Sequence, residues 1–345
     1  MASLNNITSK IVGVDDADQR LDRWLRRKYG HIPQSLIEKM CRRGMVRVNK
    51  KKVKPSFRLV PDQIITLPKS VESTTKKAVK PNTLSSYDQS IIHQLNNSII
   101  YEDDYFVALN KPPGLATQGG TKQRGYVDKY LNHLALANNT GRLRLIHRLD
   151  KETSGVLLTG KTLTSTRKMM ELFKIKNVYK NYWAVTLGVP NPQTGEIKSA
   201  LEKDITQVNR RMKNVNTKNG HTSNTAKFAY TKYSVQLTFG KLLAFVLLSP
   251  QTGRTHQLRV HLSSINHPIL GDEKYSSDLS ETSLQLKFEE LNLVSRMFLH
   301  ASSLRFHHPF LKREIVIKAE APVHFQELAN YLEWDLNNVP EATFQ

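Results

Sequence analysis

Ile146-His147-Arg148-Leu149-Asp150-Lys151-Glu152-Thr153-Ser154-Gly155-Val156-Leu157-Leu158 is the stretch whose reading decides the fold. It sets one carboxylate, Asp150, between a basic pair and a Thr-Ser-Gly turn, with an apolar strand-like run directly after. Gly155 permits a sharp reversal, and Ser154 can bond the turn backbone. An aspartate at such a corner can attack or take a proton if nearby cations hold it ionised. It can equally be an Asx-type cap, the ordinary role of Asp in a turn.

His147-Arg148-Leu149-Asp150, followed two residues later by Thr153-Ser154-Gly155, resembles the catalytic motif of the RluA family of pseudouridine synthases. Three other stretches resemble the same family. Asn110-Lys111-Pro112-Pro113-Gly114 follows two strand-like runs around an acidic turn, as the family's catalytic domain opens. Lys180-Asn181-Tyr182-Trp183-Ala184 matches the stretch whose tyrosine lies against the target uracil. Gly253-Arg254-Thr255-His256-Gln257-Leu258-Arg259, then His267-Pro268-Ile269-Leu270-Gly271-Asp272, resembles the third motif. The resemblance implies catalytic roles for Asp150, Tyr182 and Arg254, with Arg254 paired to Asp150. It places Arg148 near a flipped nucleotide and Leu258 against the tyrosine or the base. It implies no cofactor and no metal, because the isomerisation oxidises nothing and loses nothing. The implied fold class is α+β: a mixed, mainly antiparallel sheet with flanking helices and a central cleft, plus a small N-terminal domain.

Charge is the strongest compositional fact. The chain has 345 residues with 51 Lys+Arg against 30 Asp+Glu, a net +21, which calls for a polyanionic partner. An anionic membrane surface is the weaker choice, since no apolar run of spanning length and no lipidation motif occurs. The single cysteine, Cys41, excludes an internal disulfide and any multi-Cys metal site. No secretory signal is evident at the start, so the expectation is a cytoplasmic monomer.

Much of the charge is local. Between Arg20 and Lys69 stand 15 Lys/Arg and 3 Asp/Glu, so +12 of the +21 sits in one seventh of the chain. Leu21, Trp24 and Leu25 keep helical spacing with Asp18 as a candidate N-cap. Ser35 can cap a second helix bearing Leu36, Ile37 and Met40, which Gly44 can close. Val46 and Val48 then alternate as a strand does. Helix, helix, Gly, strand resembles the S-four RNA-binding domain, which implies phosphate contacts at Arg42, Arg43, Arg47, Lys50, Lys51 and Lys52. A merely solvated basic face is the alternative.

The expected organisation is a flexible N-terminus over 1–17, the S-four-like domain over 18–69, a polar linker over 70–90 and the catalytic domain over 91–345. Within the last, Met169 and Met170 keep helical spacing and read as core. The polar, basic stretch 202–224 reads as a long hairpin loop or as an insertion without order. Thr255 is placed to N-cap a helix bearing Leu258, Leu262 and Ile265, with Asn266 closing it. His256, His261 and His267 could suggest a metal site, but three His on a helix and its exit need not converge, and the Cys or His-Glu-x-x-His companions of such a site are missing.

The N-terminal module and the Leu-Ala-x-Gln-Gly-Gly segment at 115–120 lean toward the RluC branch, which modifies large-subunit ribosomal RNA. A transfer RNA target, or the sites of the RluD branch, stay open. Two other classes fit the sequence less well. A non-catalytic ribosome-assembly factor has no use for a carboxylate facing a polyanion. An Asp-based glycoside hydrolase wants a second positioned carboxylate, and none stands out in the motifs.

Overall fold

The computed structural model describes residues 7–13, 16, 18–30, 32–73, 84–120, 123–134, 136, 143–204, 211–215, 225–276 and 296–339. They form two compact units, divided between Ser85 and Ser86.

In the first unit, β1 (Ile7–Ile11), α1 (Leu21–Tyr29), α2 (Gln34–Arg42), β2 (Arg47–Val48), β3 (Lys51–Lys52), β4 (Ile64–Pro68) and α3 (Lys69–Ser73) follow in order. The sheet runs β1-β4-β2-β3. Leu21, Trp24, Leu25 and Ile37 are fully buried against Val46, Leu59, Ile65 and Leu67. Each such aliphatic side chain contributes roughly 1.5–3 kcal/mol. Helix starts differ from expectation: Arg20 rather than Asp18 occupies the α1 N-cap, and Pro33 that of α2. Gly44 does close α2, at φ +68.

Two boundaries are corrected here. Ile7–Ile11 is not a loose lead-in but an edge strand in register with Ile64–Pro68. Four of its five side chains are exposed, so the ladder is held by backbone bonds and leaves no hydrophobic alternation to read. The 70–90 stretch is helical at both ends: α3 buries Val71 in the first unit, and α4 (Ser86–Asn96) opens the second. Residues 74–83 lie outside the described residues.

The second unit continues with β5 (Ile99–Glu102), β6 (Phe106–Lys111), α5 (Val127–Tyr130), β7 (Arg144–Leu145), β8 (Ser154–Gly160) and α6 (Leu163–Lys174). Then come β9 (Val178–Leu187), β10 (Thr194–Lys203), β11 (Met212–Val215), β12 (Lys227–Phe239), β13 (Leu243–Pro250) and α7 (Gln257–Ser264). β14 (Leu299–His307), β15 (Glu314–Lys318) and α8 (Val323–Tyr331) complete it. One sheet takes the order β11-β10-β12-β13-β9-β14-β8-β6-β5, with β15 on β14 and β7 on β8. The β14–β8 pairing is parallel and the others are antiparallel, so the expected mixed, mainly antiparallel α+β architecture is present. Of the 202–224 stretch, the described part is a hairpin arm, β10 paired with β11.

β8 and β13 are buried along their whole length, as strands covered on both faces must be. Val156 and Leu158 enter one core with Ile146 and Phe306, while Leu157 faces another with Leu149, Val107 and Tyr130. A third core packs Val185, Phe245 and Leu262 with Phe298 and Phe325. The loop from β7 to β8 therefore straddles two cores at the sheet's centre.

The sheet forks at Gly155. There β8 meets β14 in the His300↔Ser154 and Ala301↔Gly155 register. Gly155 has φ +106, and a Cβ on it would stand 2.2 Å from the Ala301 carbonyl oxygen. His300 locks the same junction: Nε2–H donates to the Ala319 carbonyl at 3.0 Å, so bare Nδ1 takes the Ser154 hydroxyl at 2.9 Å. Gly155→Ala is expected to cost on the order of 3 kcal/mol or more in urea unfolding. A loss under about 0.5 kcal/mol would mean that the two backbones can separate without penalty.

Burial pushes His261 and His300 down to about 4. As the pH falls below the ordinary histidine value, the unfolded chain takes up protons that the folded chain refuses. Stability is thus fully present above about pH 6.5 and drains away toward pH 4. Thermal midpoints measured from pH 7.5 down to 4.5 should fall through that window; a flat profile would contradict the buried neutral rings.

Candidate active site

Between β7 and β8 the chain alternates. His147 turns inward, accepts the Leu158 N–H at Nε2 (2.9 Å) and stacks on Phe173 at 5.0 Å. Burial, then the charge of Lys180, lowers its pKa to about 3, so it is a structural acceptor. Arg148 turns outward and is exposed, Leu149 is buried, and Asp150 stands half-buried in a cleft of about 700 Å³.

The backbone on either side of Asp150 is clamped by the Pro-Pro-Gly loop. The Thr117 hydroxyl donates to the Leu149 carbonyl at 2.7 Å and accepts the Leu149 N–H at 3.1 Å. The Gly114 N–H and Lys111 Nζ both reach the Lys151 carbonyl, at 3.0 and 3.1 Å. Lys111 also donates to the carbonyls of Pro112 and Leu115. It is fully buried, and that burial lowers its pKa to about 7. The loop expected to shape a cleft wall thus fixes the reach of the carboxylate.

The facing wall is the corner from β13 into α7. Gln257 ties it together: Oε1 accepts the Arg254 N–H and the Thr252 hydroxyl, and Nε2 donates to the Tyr230 carbonyl and Thr231 Oγ1. His256, not Thr255, is the N-cap, and it sits in the left-handed region at φ 52. Asn266 closes the far end at φ 61, as expected.

This corner overturns one expectation. Arg254 is exposed on the rim, with Nε donating to the Phe228 carbonyl at 3.0 Å. The guanidinium beside Asp150 belongs to Arg259, whose Nη1 lies 3.7 Å from Oδ2. Arg254 precedes the helix and reaches to β12, whereas Arg259 lies in its first turn on the buried side. Nε and Nη2 of Arg259 grip both oxygens of buried Asp272, at 2.7 and 2.6 Å. Burial alone would lower the Arg259 pKa, but the bonds and charge of Asp272, with the charge of Asp150, leave it raised. The sequence held only part of the signal: a charged residue between Leu258 and Val260 needs a partner if that face is buried, and the linear chain does not show that it is.

Tyr182, on β9, is half-buried, and its pKa is raised by burial and then by the charge of Asp150, so it keeps its proton. Leu258 is buried in the same core and lines the cleft. Met169 is core, but Met170 is half-exposed and lines the cleft with Phe173 and Tyr179, a correction to the reading of both as core. Among the described residues Asp150 is the one carboxylate on the cleft wall, against Arg148, Lys174, Lys176, Lys180, Arg254 and Arg259. Burial, then the charge of Lys176, lowers the Lys180 pKa to about 8. Such a wall suits a polyanion and presents it with one carboxylate.

The three histidines part company. His256 faces the cleft, His261 is buried between Ser199 and Thr231, and His267 meets the Leu187 carbonyl. Among the described residues no group of three His, Cys, Asp or Glu could hold a metal ion, and no helix is long and apolar enough to cross a membrane. In the first unit Arg42, Arg43, Arg47, Lys50, Lys51 and Lys52 are all exposed, around the hairpin of β2 and β3.

A mixed sheet with a basic cleft and one clamped aspartate defines an RNA-modifying class rather than a hydrolase with paired carboxylates. The family model described as RNA pseudouridylate synthase matches residues 105–264, and that of the S4 domain matches 19–65. The chain is 36% identical over 313 residues to the ribosomal large subunit pseudouridine synthase C of Rickettsia bellii, covering 90% of this chain and 96% of the relative. It is 35% identical to the protein of that name from Escherichia coli strain K12, over 91% of this chain and 93% of the relative. The solved structure titled human RNA pseudouridylate synthase domain containing 4 superposes with a TM-score of 0.60 at 30% identity, covering 72% of this chain and 99% of that one. The chain belongs to the RNA pseudouridylate synthase family, and it is an RNA pseudouridine synthase.

Three substitutions separate the arginines. Arg259→Ala leaves Asp272 buried without its cation and is expected to cost about 3–5 kcal/mol, read by urea unfolding. Arg259→Lys keeps charge but not the fork, and should lower turnover at least about tenfold. Arg254→Ala should leave stability within about 0.5 kcal/mol. The reverse ranking would restore Arg254 as the partner.

Proposed function

We propose that this protein isomerises uridines of large-subunit ribosomal RNA to pseudouridine, with Asp150 as the reacting group. The observation that carries the reading is the clamped Asp150 carboxylate facing Arg259, the one acidic group among the described cleft-lining residues, which include six Lys and Arg.

The reaction breaks the bond from ribose C1′ to uracil N1, turns the detached ring and joins C1′ to C5. The C5 proton leaves, and N1 gains one, so atoms and electrons balance without a cofactor. A carboxylate oxygen of Asp150 acts at the ribose, either on C1′ itself or on the neighbouring C2′ proton; both routes need the same charged, aimed group. Arg259 supplies the aim and the charge compensation. Tyr182 offers a protonated, flat face for the uracil, and Leu258 a second wall that keeps water off the detached ring. Arg148, exposed at the mouth, is placed to meet the backbone or fill the space the base has left. Arg254 is a rim cation for phosphate.

A uridine must leave its stack to enter, at a cost of a few kcal/mol. The net +21 and the exposed basic residues of the S-four domain offset that through phosphate contacts and counterion release. Sequence similarity to relatives named for the ribosomal large subunit supports a ribosomal target, and we take the protein to act as a monomer.

Pseudouridine mapping of large-subunit RNA from cells with and without the gene should show sites that depend on it. Asp150→Asn should fail to restore them while binding RNA normally; restored sites would sink the assignment. Replacing Arg42, Arg43 and Arg47 by Ala should weaken RNA affinity and flatten its salt dependence by about two to three charges. An unchanged slope would mean that this face does not touch phosphate.

A further inference from the structure

His256 has no part in the chemistry above, yet three independent observations aim it at the reacting group. Its backbone is held at φ 52 and ψ 22, a left-handed conformation uncommon outside glycine, at the corner where β13 turns into α7. Its Nε2 lies 3.9 Å from Asp150 Oδ2, the same oxygen that Arg259 Nη1 faces at 3.7 Å. Its Nδ1 lies 2.8 Å from the Tyr275 hydroxyl, which itself accepts the Met212 N–H at 2.9 Å.

The hydrogen bonds decide the tautomer. The Met212 N–H occupies the acceptor side of the Tyr275 oxygen, which leaves the phenol proton to point at His256 Nδ1. Nδ1 is then an acceptor, and the ring's own proton sits on Nε2, facing Asp150. Burial, opposed in part by the charge of Asp150, lowers the His256 pKa, and Arg259 and Lys274 push the same way; the neutral ring is the resident form.

We propose that His256 is a positioning residue: as the Nε2–H tautomer fixed by Tyr275, it holds Oδ2 of Asp150 together with Arg259 and leaves Oδ1 as the oxygen that meets the ribose. Two donors on one oxygen make the carboxylate asymmetric, so the reacting lone pair has a defined direction. At 3.9 Å the imidazole donor stands off, and a small rotation of Asp150 on substrate entry closes the bond. The line from Met212 through Tyr275 also ties the β10–β11 arm to the carboxylate. This inference rests on Asp150 being the reacting group.

Transcribed large-subunit RNA carrying uridine tritiated at C5 reports each turnover as released tritium. His256→Gln, whose amide can reproduce an Nε2–H donor, should keep kcat within about fivefold of the parent. His256→Asn and His256→Ala should lose about ten- to a hundredfold, with KM within about twofold. Tyr275→Phe keeps the ring that covers Arg259 and removes only the hydroxyl; it should lower kcat about tenfold at unchanged KM. Nitrogen NMR of labelled histidine should show His256 protonated at Nε2 in the parent and mixed in Tyr275→Phe. Parental kcat in His256→Ala, Gln no better than Asn, or a proton on Nδ1 would each overturn the proposal. Each of those results can stand beside an inactive Asp150→Asn, which keeps the reading of Asp150 intact; an active Asp150→Asn would remove both.

Discussion

Arg259 is a guanidinium with a tenth of its side chain exposed, and such a group is tolerated only when its donors are matched. Asp272, with no side-chain exposure, matches two of them in a bidentate fork. Asp272 is itself placed by the turn at Gly271, where φ is +74 and a Cβ would lie 2.0 Å from the Arg296 carbonyl oxygen. Its Oδ1 also accepts the N–H groups of Lys274 and Tyr275. Only the third nitrogen of Arg259 is left to look into the cleft, and it looks at Asp150. The position of the guanidinium that faces Asp150 is thus set by a buried ion pair whose disruption would be far more costly than that of a surface contact.

The carboxylate needs the complementary constraint. Asp150 lies on a loop, and loops move unless their backbone is held. Thr117 grips one neighbouring residue, Gly114 and Lys111 the other, and the Ser154–His300 bond anchors the strand that follows. These bonds lie in or beside packed cores, where low dielectric strengthens them and an orphaned partner is penalised. Gly155 lets β8 approach β14 closely enough to bring the two halves of the sheet, and so the two walls of the cleft, together. The flank formed by Lys174, Lys176 and Lys180 with Tyr179 can then carry charge and apolar surface side by side, as a strand of unpaired nucleotides requires.

Several elements could be read before any coordinates. The β5–β6 pair around Asp103 and the core helix α6 were legible, as strand-like runs about an acidic turn and as helical spacing. Other readings failed for identifiable reasons. β1 is an exposed edge, so its pairing rests on backbone groups that every residue possesses. Met170 shares helical spacing with Met169 but falls on the side where the sheet opens into the cleft. The helix cap moved from Thr255 to His256 because Gln257 satisfies the corner's donors from within, leaving the hydroxyl unneeded.

The family motifs therefore implied the fold class and the loop that bears Asp150, the local charge and the helix-helix-Gly-strand pattern pointed to the basic module, and a single cysteine excluded an internal disulfide. Which of two arginines five residues apart meets that carboxylate was decided only by the packed molecule. The answer depends on the pitch of α7 and on a carboxylate at position 272 that the turn carries back to it, and a linear chain has neither until its cores close.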